Sequence, residues 1–449
     1  MRSNPRPSPQ ETLPWRPLRS PLRRPESLGC LCFVVLLSVY LAVPEGLVAE
    51  SWPQWRGPRL DGSSAETDLP LTWSATGDAT ENVTWKLALP ARSGATPIVW
   101  QDRIFLHVSH DPESDDSLEL WSVDRNTGKV VWKRPLGGGN VVKYKQHMSS
   151  PSPVTDGEHV WVLTGTGVLK AFTFDGTEVW SRDLQEDYGP FGQKWGYAAS
   201  PLLWEGALYV PVIHGFHTDA PSYLLKIDPE SGKTVWRQER PSDAVYESPD
   251  AYTTPMPVTH DGKTHIVLTG GDVVTAHSTR TGEEVWRAGN LNPEESKTQR
   301  LVASPLVTDG HVLAFGKRGP VLAFRPGGEK AWSWEKGTDV PTPVSDGKLL
   351  YIVNDKGIVH TLEVATGKVV YGPERLAPGT YSASPLLAGG RIYATSEEGV
   401  TSVFKTGASF ELLGTNEVEG YTLASLAASD GQIFVRTAKF LYAIGARKR

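Results

Sequence analysis

Short apolar segments, each ended by a turn, follow one another along most of this chain. HVWVLT (159–164) alternates apolar and polar residues, the pattern of a half-buried strand. LELWSVD (118–124) ends in a polar turn, and KVVWKRP (129–135) follows it as a further strand. A fourth kind of segment opens each unit. It consists of a small residue, Ser or Thr, Pro, an apolar strand and a two-residue hairpin turn such as Asp-Gly. It reads GATPIVWQD from Gly94, SSPSPVTDG from Ser149, AASPLLWEG from Ala198 and YTTPMPVTHDG from Tyr252. It returns as VASPLVTDG from Val302, VPTPVSDG from Val340, SASPLLAGG from Ser382 and LASLAASDG from Leu423, where Leu426 replaces the proline. Each unit therefore reads as four short strands.

A second repeated feature runs through the same stretch. A turn glycine is followed four residues later by an aromatic: Gly128 and Trp132, Gly176 and Trp180, Gly232 and Trp236, Gly282 and Trp286, Gly328 and Trp332, Gly367 and Tyr371. Gly407 has Glu411 at that place. The missing outer strand stands at the other end of the chain, in NVTWKLALP, headed by Trp85. Four-stranded units repeated eight times predict an all-β, eight-bladed β-propeller of antiparallel blades. The displaced strand predicts that the ring closes by pairing the N- and C-terminal strands, which protects the sheet edges. In this reading Trp85, Trp132, Trp180, Trp236, Trp286, Trp332 and Tyr371 are structural aromatics packed between blades.

Composition agrees with such a fold. The 449 residues are 39% hydrophobic and 21% charged, with 44 Gly and 35 Pro to serve many turns. The net charge of −6 and the lack of a basic block exclude nucleic acid as an expected partner. Residues 1–49 differ from the rest. An Arg- and Pro-rich stretch precedes an apolar run from Leu28 to Val43 and a small-residue exit at Ala49, the layout of an export signal, with an uncleaved anchor as the alternative. Cys30 and Cys32 are the only cysteines; they precede most of the apolar run, which disfavours a lipid-modified cysteine. The chain after residue 49 is expected to hold no disulfide, thiolate metal site or cysteine nucleophile. The division is then 1–49 signal or anchor, 50–82 extended arm and 83–449 propeller, in an exported, periplasmic or envelope monomer.

VDRNTGKVVW, IDPESGKTVW and HSTRTGEEVW resemble the tryptophan-docking repeat of PQQ-like β-propellers, and SWPQWRGPRLDG (51–62) resembles the leading segment of exported members. Two branches of that family matter. Quinoprotein dehydrogenases hold pyrroloquinoline quinone with Ca²⁺ in the propeller funnel, beside a disulfide of adjacent cysteines that this sequence lacks. BamB-type scaffold proteins, which help assemble outer-membrane proteins, share the repeat and approximate size and carry no quinone. The resemblance is nearer to the second branch. It implies a non-catalytic scaffold with no cofactor, binding a protein, peptide or glycan, with a role in outer-membrane assembly; a quinone-dependent dehydrogenase with calcium is the alternative.

The loops entering the inner strands should gather at one mouth of the channel: 137–150, 185–200, 241–254 and 290–304. Counting five residues back from each repeat proline gives Arg92, Gln146, Gly196, Asp250, Arg300, Thr338 and Thr380, with Tyr421 at the corresponding place in the last unit. Neighbouring positions complete a candidate collar of Lys145, His147, Trp195, Tyr197, Asp250, Tyr252, Arg300, Tyr381 and Tyr421. Trp195, Tyr197 and Tyr252 would stack on a ligand. Arg300, Asp250 and His147 would make polar contacts, and His147 with Asp250 could form a base and its orienting partner. The acidic HDPESDDSLE (110–119) reads as a solvated hairpin tip, HGFHTD (214–219) as a loop with weak metal-ligand spacing, and the cations of GKRGP (316–320) as facing solvent. No metal site is expected.

Overall fold

The structure, a computed structural model, describes residues 50–447 apart from Asp78. The export signal or anchor assigned to 1–49 lies outside the described residues. Among the described residues the strands form eight sheets, one per blade. Blade 1 comprises Ile98–Trp100, Arg103–Ser109, Leu118–Asp124 and Val130–Gly137, ordered from the channel outward. Blades 2 to 7 repeat this order, with inner strands at Val154–Thr155, Leu202–Trp204, Met256–His260, Leu306–Thr308, Val344–Ser345 and Leu386–Ala388. Blade 8 takes three strands from the C-terminal side, Ala427–Ser429, Gln432–Arg436 and Phe440–Ile444. Its outer strand is Val83–Ala88, paired antiparallel with Phe440–Ile444. The ring closes as the displaced Trp85 strand predicts.

The tryptophans that follow the turn glycines pack across the blade boundaries. Each lies on the turn glycine of the next blade, so closely that a Cβ on the glycine would meet the ring. Such a Cβ would sit 2.6 Å from Trp85 at Gly128, 2.9 Å from Trp132 at Gly176 and 2.7 Å from Trp180 at Gly232. Gly282 lies under Trp236, Gly328 under Trp286 and Gly367 under Trp332 in the same way. These glycines also have positive φ, from +69° to +92°, which other residues resist. Most of the indoles add a hydrogen bond across the blade boundary, such as Trp85 Nε1 to Arg125 O at 2.7 Å and Trp132 Nε1 to Phe174 O at 3.0 Å. The series ends at Tyr371, which packs on Phe410 instead; Gly407 has no neighbour within 4 Å of a would-be Cβ.

One sequence expectation fails for a physical reason. The second strand of blade 2, His159–Leu163, does not alternate; Val160 to Leu163 are all buried. In a propeller both faces of the second strand are covered by neighbouring blades, whereas the exposed outer strand Val83–Ala88 does alternate.

The arm at 50–82 is more than an extended lead. Trp52 pairs with Val99 of blade 1, and Pro53 O accepts the Thr155 amide of blade 2. Gln54 exchanges hydrogen bonds with Leu203 of blade 3. Arg56 donates to Pro343 O of blade 6 (2.5 Å) and Pro385 O of blade 7 (3.1 Å). The arm therefore crosses the propeller axis between Gln54 and Arg56. It then pairs Ser63–Ser64 with the inner strand of blade 7, and Ser74–Thr76 with its outer strand. Arg56 is fully buried, and burial lowers its pKa to about 10; backbone carbonyls, including Asp61 O, are its hydrogen-bond partners.

Candidate functional site

The Ser/Thr-Pro repeat places one hydroxyl residue per blade around the channel. The backbone N–H of each donates to the hydroxyl of the next blade. The chain runs from Thr96 through Ser152, Ser200, Thr254, Ser304, Thr342 and Ser384 to Ser425, in seven bonds of 2.9–3.1 Å. This chain corrects the register assumed for blade 2. SSPSP contains two Ser-Pro pairs, and the structure uses Ser152-Pro153 rather than Ser150-Pro151. Five residues before the ring proline is thus Met148, not Gln146, and His147 is not the counterpart of Tyr197 and Tyr381.

The hydroxyl ring lines a cavity of about 540 Å³. Trp55 is part of its lining. Because the arm crosses the axis at this residue, the channel is floored from below and becomes a funnel. Sequence reasoning missed Trp55. It sits on an arm that carries no blade repeat, and only the threading brings it to the axis.

Above the ring the mouth is built from the long loops. Of the nine collar residues, Lys145, Trp195, Tyr252, Arg300 and Tyr381 line the cavity. Tyr421 donates its hydroxyl to Glu397 (2.6 Å) beside it. Tyr197 turns away and is buried, its hydroxyl bonded to Pro211 O at 2.8 Å. Asp250 is fully buried behind the wall, where it accepts the Lys194 amide (2.7 Å) and the Phe216 amide (3.1 Å) and so ties three loops together. Burial raises its pKa to about 6, against those amide bonds. His147 is buried, and its Nε2 accepts from Arg92 Nε at 2.8 Å. Burial, with the Arg92 and Arg436 charges, lowers its pKa to about 4. His147 and Asp250 thus have separate partners and do not assemble as a base and its orienter.

Two carboxylates of the mouth are fully engaged. Glu397 accepts from Lys145 (2.5 Å), Tyr421 and Ser382. Glu247 accepts from Lys194 Nζ (2.9 Å) and Trp195 Nε1 (2.8 Å). Burial opposes Glu247 ionisation, but these bonds and the Arg300 charge hold its carboxyl below the ordinary range.

The wall of blades 4 to 6 is different. Arg300 makes no hydrogen bond among the described residues. It hangs between Glu247 (3.6 Å) and Asp339 (3.7 Å). Lys317 lies 3.8 Å from Asp339, and Asp339 Oδ1 is buried without a partner. Contrary to the solvent-facing place that GKRGP suggests, the Lys317 side chain is only 16% exposed and lies against Asp339, which lines the cavity. Burial raises the Asp339 pKa and lowers that of Lys317, each opposed by the other's charge.

Rings line one side of the rim. Tyr144 meets Trp195 at 5.7 Å between centroids, and Tyr246 meets Phe216 at 5.2 Å. The Lys194 ammonium stands between the pairs, 4.9 Å from Trp195 and 5.0 Å from Phe216. Tyr144 is 69% exposed and Tyr246 58%, and both hold a positive φ. Within the acidic stretch 110–119, Asp111 and residues 113–116 are exposed, and Asp116 bonds the Gly139 amide and helps fix the loop of Tyr144. Among the described residues no group of three His, Cys, Asp or Glu side chains is placed to hold a metal ion. Of the carboxylates lining the funnel, Glu247 is matched by Lys194, Trp195 and Arg300, and Asp339 by Arg300 and Lys317, so these two face cations rather than form an oxygen-rich donor set of the kind calcium takes.

Fold and mouth together define a PQQ-like propeller, and the chain belongs to one family of that class. Residues 119–372 match the family described as outer membrane protein assembly factor BamB. An uncharacterized protein of Rickettsia conorii is 26% identical over 254 residues, 52% of this chain and 56% of that one. The BamB of Alkalilimnicola ehrlichii is 31% identical over 126 residues, 26% of this chain and 32% of its own. The chain thus spans about half the length of the first of these relatives. Among solved structures, BamB from Moraxella catarrhalis superposes with a TM-score of 0.60 at 14% identity, covering 81% of this chain and 99% of that one. A europium-containing methanol dehydrogenase gives 0.64 at 11% identity, covering 87% and 90%. At such identities these likenesses describe the fold alone.

Proposed function

We propose that this protein is a non-catalytic binding and scaffold component of the cell envelope, acting outside the cytoplasm in the assembly of outer-membrane proteins. In this reading the funnel mouth engages a polypeptide partner, and the propeller works as a monomer without a cofactor. The family match supports the setting. The observation that carries the binding role is the rim of rings. Tyr144 and Tyr246 are the aromatic members of the exposed large hydrophobic set among the described residues, and Val141, Val142 and Val245 of the same two loops belong to that set. Tyrosine and tryptophan are enriched at protein-contact surfaces. Both tyrosines hold a positive φ, 59° and 63°, which costs backbone energy and projects their rings from the loops. The test is affinity capture from envelope extracts with wild-type protein and with a Tyr144→Ala, Tyr246→Ala double variant. A partner retained by the first and lost by the second is expected; equal capture by both would overturn the rim assignment.

The quinone-dependent dehydrogenase remains the alternative because the propeller superposes on such enzymes. Excess pyrroloquinoline quinone with Ca²⁺ is expected to leave the thermal midpoint unchanged. A saturable rise, with a bound-quinone absorbance, would favour the enzyme.

A further inference from the structure

We propose that the funnel below the rim holds the end of a neutral saccharide, with its hydroxyls on the Arg300–Asp339–Lys317 wall. The proposal rests on the binding role argued above and names the ligand class of the inner site. Charge is the first argument. Among the residues lining the cavity, Lys143, Lys145 and Arg300 face Glu247, Asp339 and Asp355, so the lining is formally neutral. A polyanion or polycation gains nothing net from it.

The second argument is what remains unbonded. Glu247 and Glu397 have their donors, and Asp250 is sealed behind the wall. Arg300 has donors without acceptors at hydrogen-bond distance, and the partly exposed Asp339 meets Arg300 and Lys317 through Oδ2 only at 3.7 and 3.8 Å. Both groups line the cavity without a partner at hydrogen-bond distance, so a ligand that bonds both is favoured. A carboxylate or phosphate would accept from Arg300 but be repelled by Asp339 and Glu247. An ammonium group would suffer the reverse. A hydroxyl does both at once, donating to Asp339 and accepting from Arg300 or Lys317, and a vicinal diol spans the pair.

The hydroxyl ring extends the same logic. From Ser152 to Ser425 each hydroxyl accepts the amide of the preceding blade, leaving its O–H free to donate toward the channel. Trp55 at the floor and Trp195 and Tyr252 at the wall supply apolar faces for the C–H side of a sugar ring. A cavity of about 540 Å³ with aromatic faces and a few convergent polar groups has the make-up of a small-ligand site.

The experiment passes the full chain over an array of neutral oligosaccharides, with triglutamate and trilysine peptides as charged probes. Any saccharide retained is then titrated against tryptophan fluorescence. At least one neutral saccharide should bind, and Asp339→Asn and Arg300→Met should each weaken it tenfold or more. Lys317→Met serves as a further variant if either of these fails to fold by circular dichroism. A blank set of neutral saccharides, binding of a charged peptide only, or retention unchanged in folded variants would overturn the proposal. The rim capture experiment separates the two claims. If it succeeds while the array stays blank, the scaffold reading stands and the saccharide does not. If both fail, the funnel is not a binding site.

Discussion

Trp132 and Trp286 form a pair that probes one hydrogen bond of the docking motif, with Trp132 also meeting Phe105 at 5.8 Å and the Arg134 guanidinium at 5.3 Å, contacts that a phenylalanine ring at 132 retains in part. Both are partly buried and occupy the same place in their blades. Each lies over the next turn glycine, where a Cβ would come within 2.9 Å of the ring. Each faces a phenylalanine at the same tilt of 36°, Phe172 at 6.5 Å and Phe324 at 6.2 Å. They differ at the indole nitrogen. Trp132 Nε1 donates to Phe174 O at 3.0 Å, whereas Trp286 Nε1 is buried with no partner. Replacement by phenylalanine removes similar apolar area from both. At Trp132 it also removes a hydrogen bond worth about 1 kcal/mol net. At Trp286 it removes a buried, unsatisfied donor that itself costs about 1–3 kcal/mol. Trp132→Phe is therefore expected to be more destabilising than Trp286→Phe by about 2–4 kcal/mol, measured by equilibrium urea unfolding. Equal losses, or a larger loss at Trp286, would refute the claim that the cross-blade bond matters beyond packing.

Three further outcomes follow from the same geometry. Gly282→Ala, at φ +79° and 2.7 Å from Trp236, should cost about 1–3 kcal/mol more than Gly310→Ala, at φ +66° with open space around it; urea unfolding of the two variants compares them. Arg56→Ala should release the arm, seen as new proteolytic cleavage within 50–62 before the blades are cut, because three carbonyls lose their donor. His277 is fully buried with its Nδ1 donating to Gly282 O (3.0 Å) and its Nε2 facing the Thr275 hydroxyl (3.0 Å). Burial lowers its pKa to about 4. The unfolded chain, with histidine near 6.5, binds the proton first, so the His277 contribution is present above about pH 6.5 and is lost as pH falls toward 4. Lowering pH from 7 to 5 should cost about 2 kcal/mol through this residue, and His277→Asn should flatten that slope in unfolding measured at both pH values.

The blades were legible in the sequence because each is one repeat of a local pattern, and a repeat reports its own register seven times over. The displaced Trp85 strand revealed the closure for the same reason. What was not legible depended on contacts between repeats. SSPSP offers two pairs that satisfy the pattern equally, and only the hydroxyl chain from Thr96 to Ser200 selects Ser152. Lys317 looks like a surface cation in GKRGP, and its turn toward Asp339 comes from the neighbouring blade. Trp55 has no repeat partner at all, and its place on the axis follows from Gln54 and Arg56 gripping opposite sides of the ring. Tyr197 and Asp250 fell in the right loops, but local sequence does not say whether a side chain faces the funnel or the loop behind it.

The rim is the surface on which the binding account depends. A photo-cross-linking phenylalanine analogue placed at Tyr144, with the same analogue at Val131 on the exposed outer strand of blade 1 as control, tests it in intact cells. The account predicts a discrete covalent adduct with an envelope protein from position 144 and none from 131. Adducts from 131 with none from 144 would contradict it and move the partner surface to the outer edge of the blades.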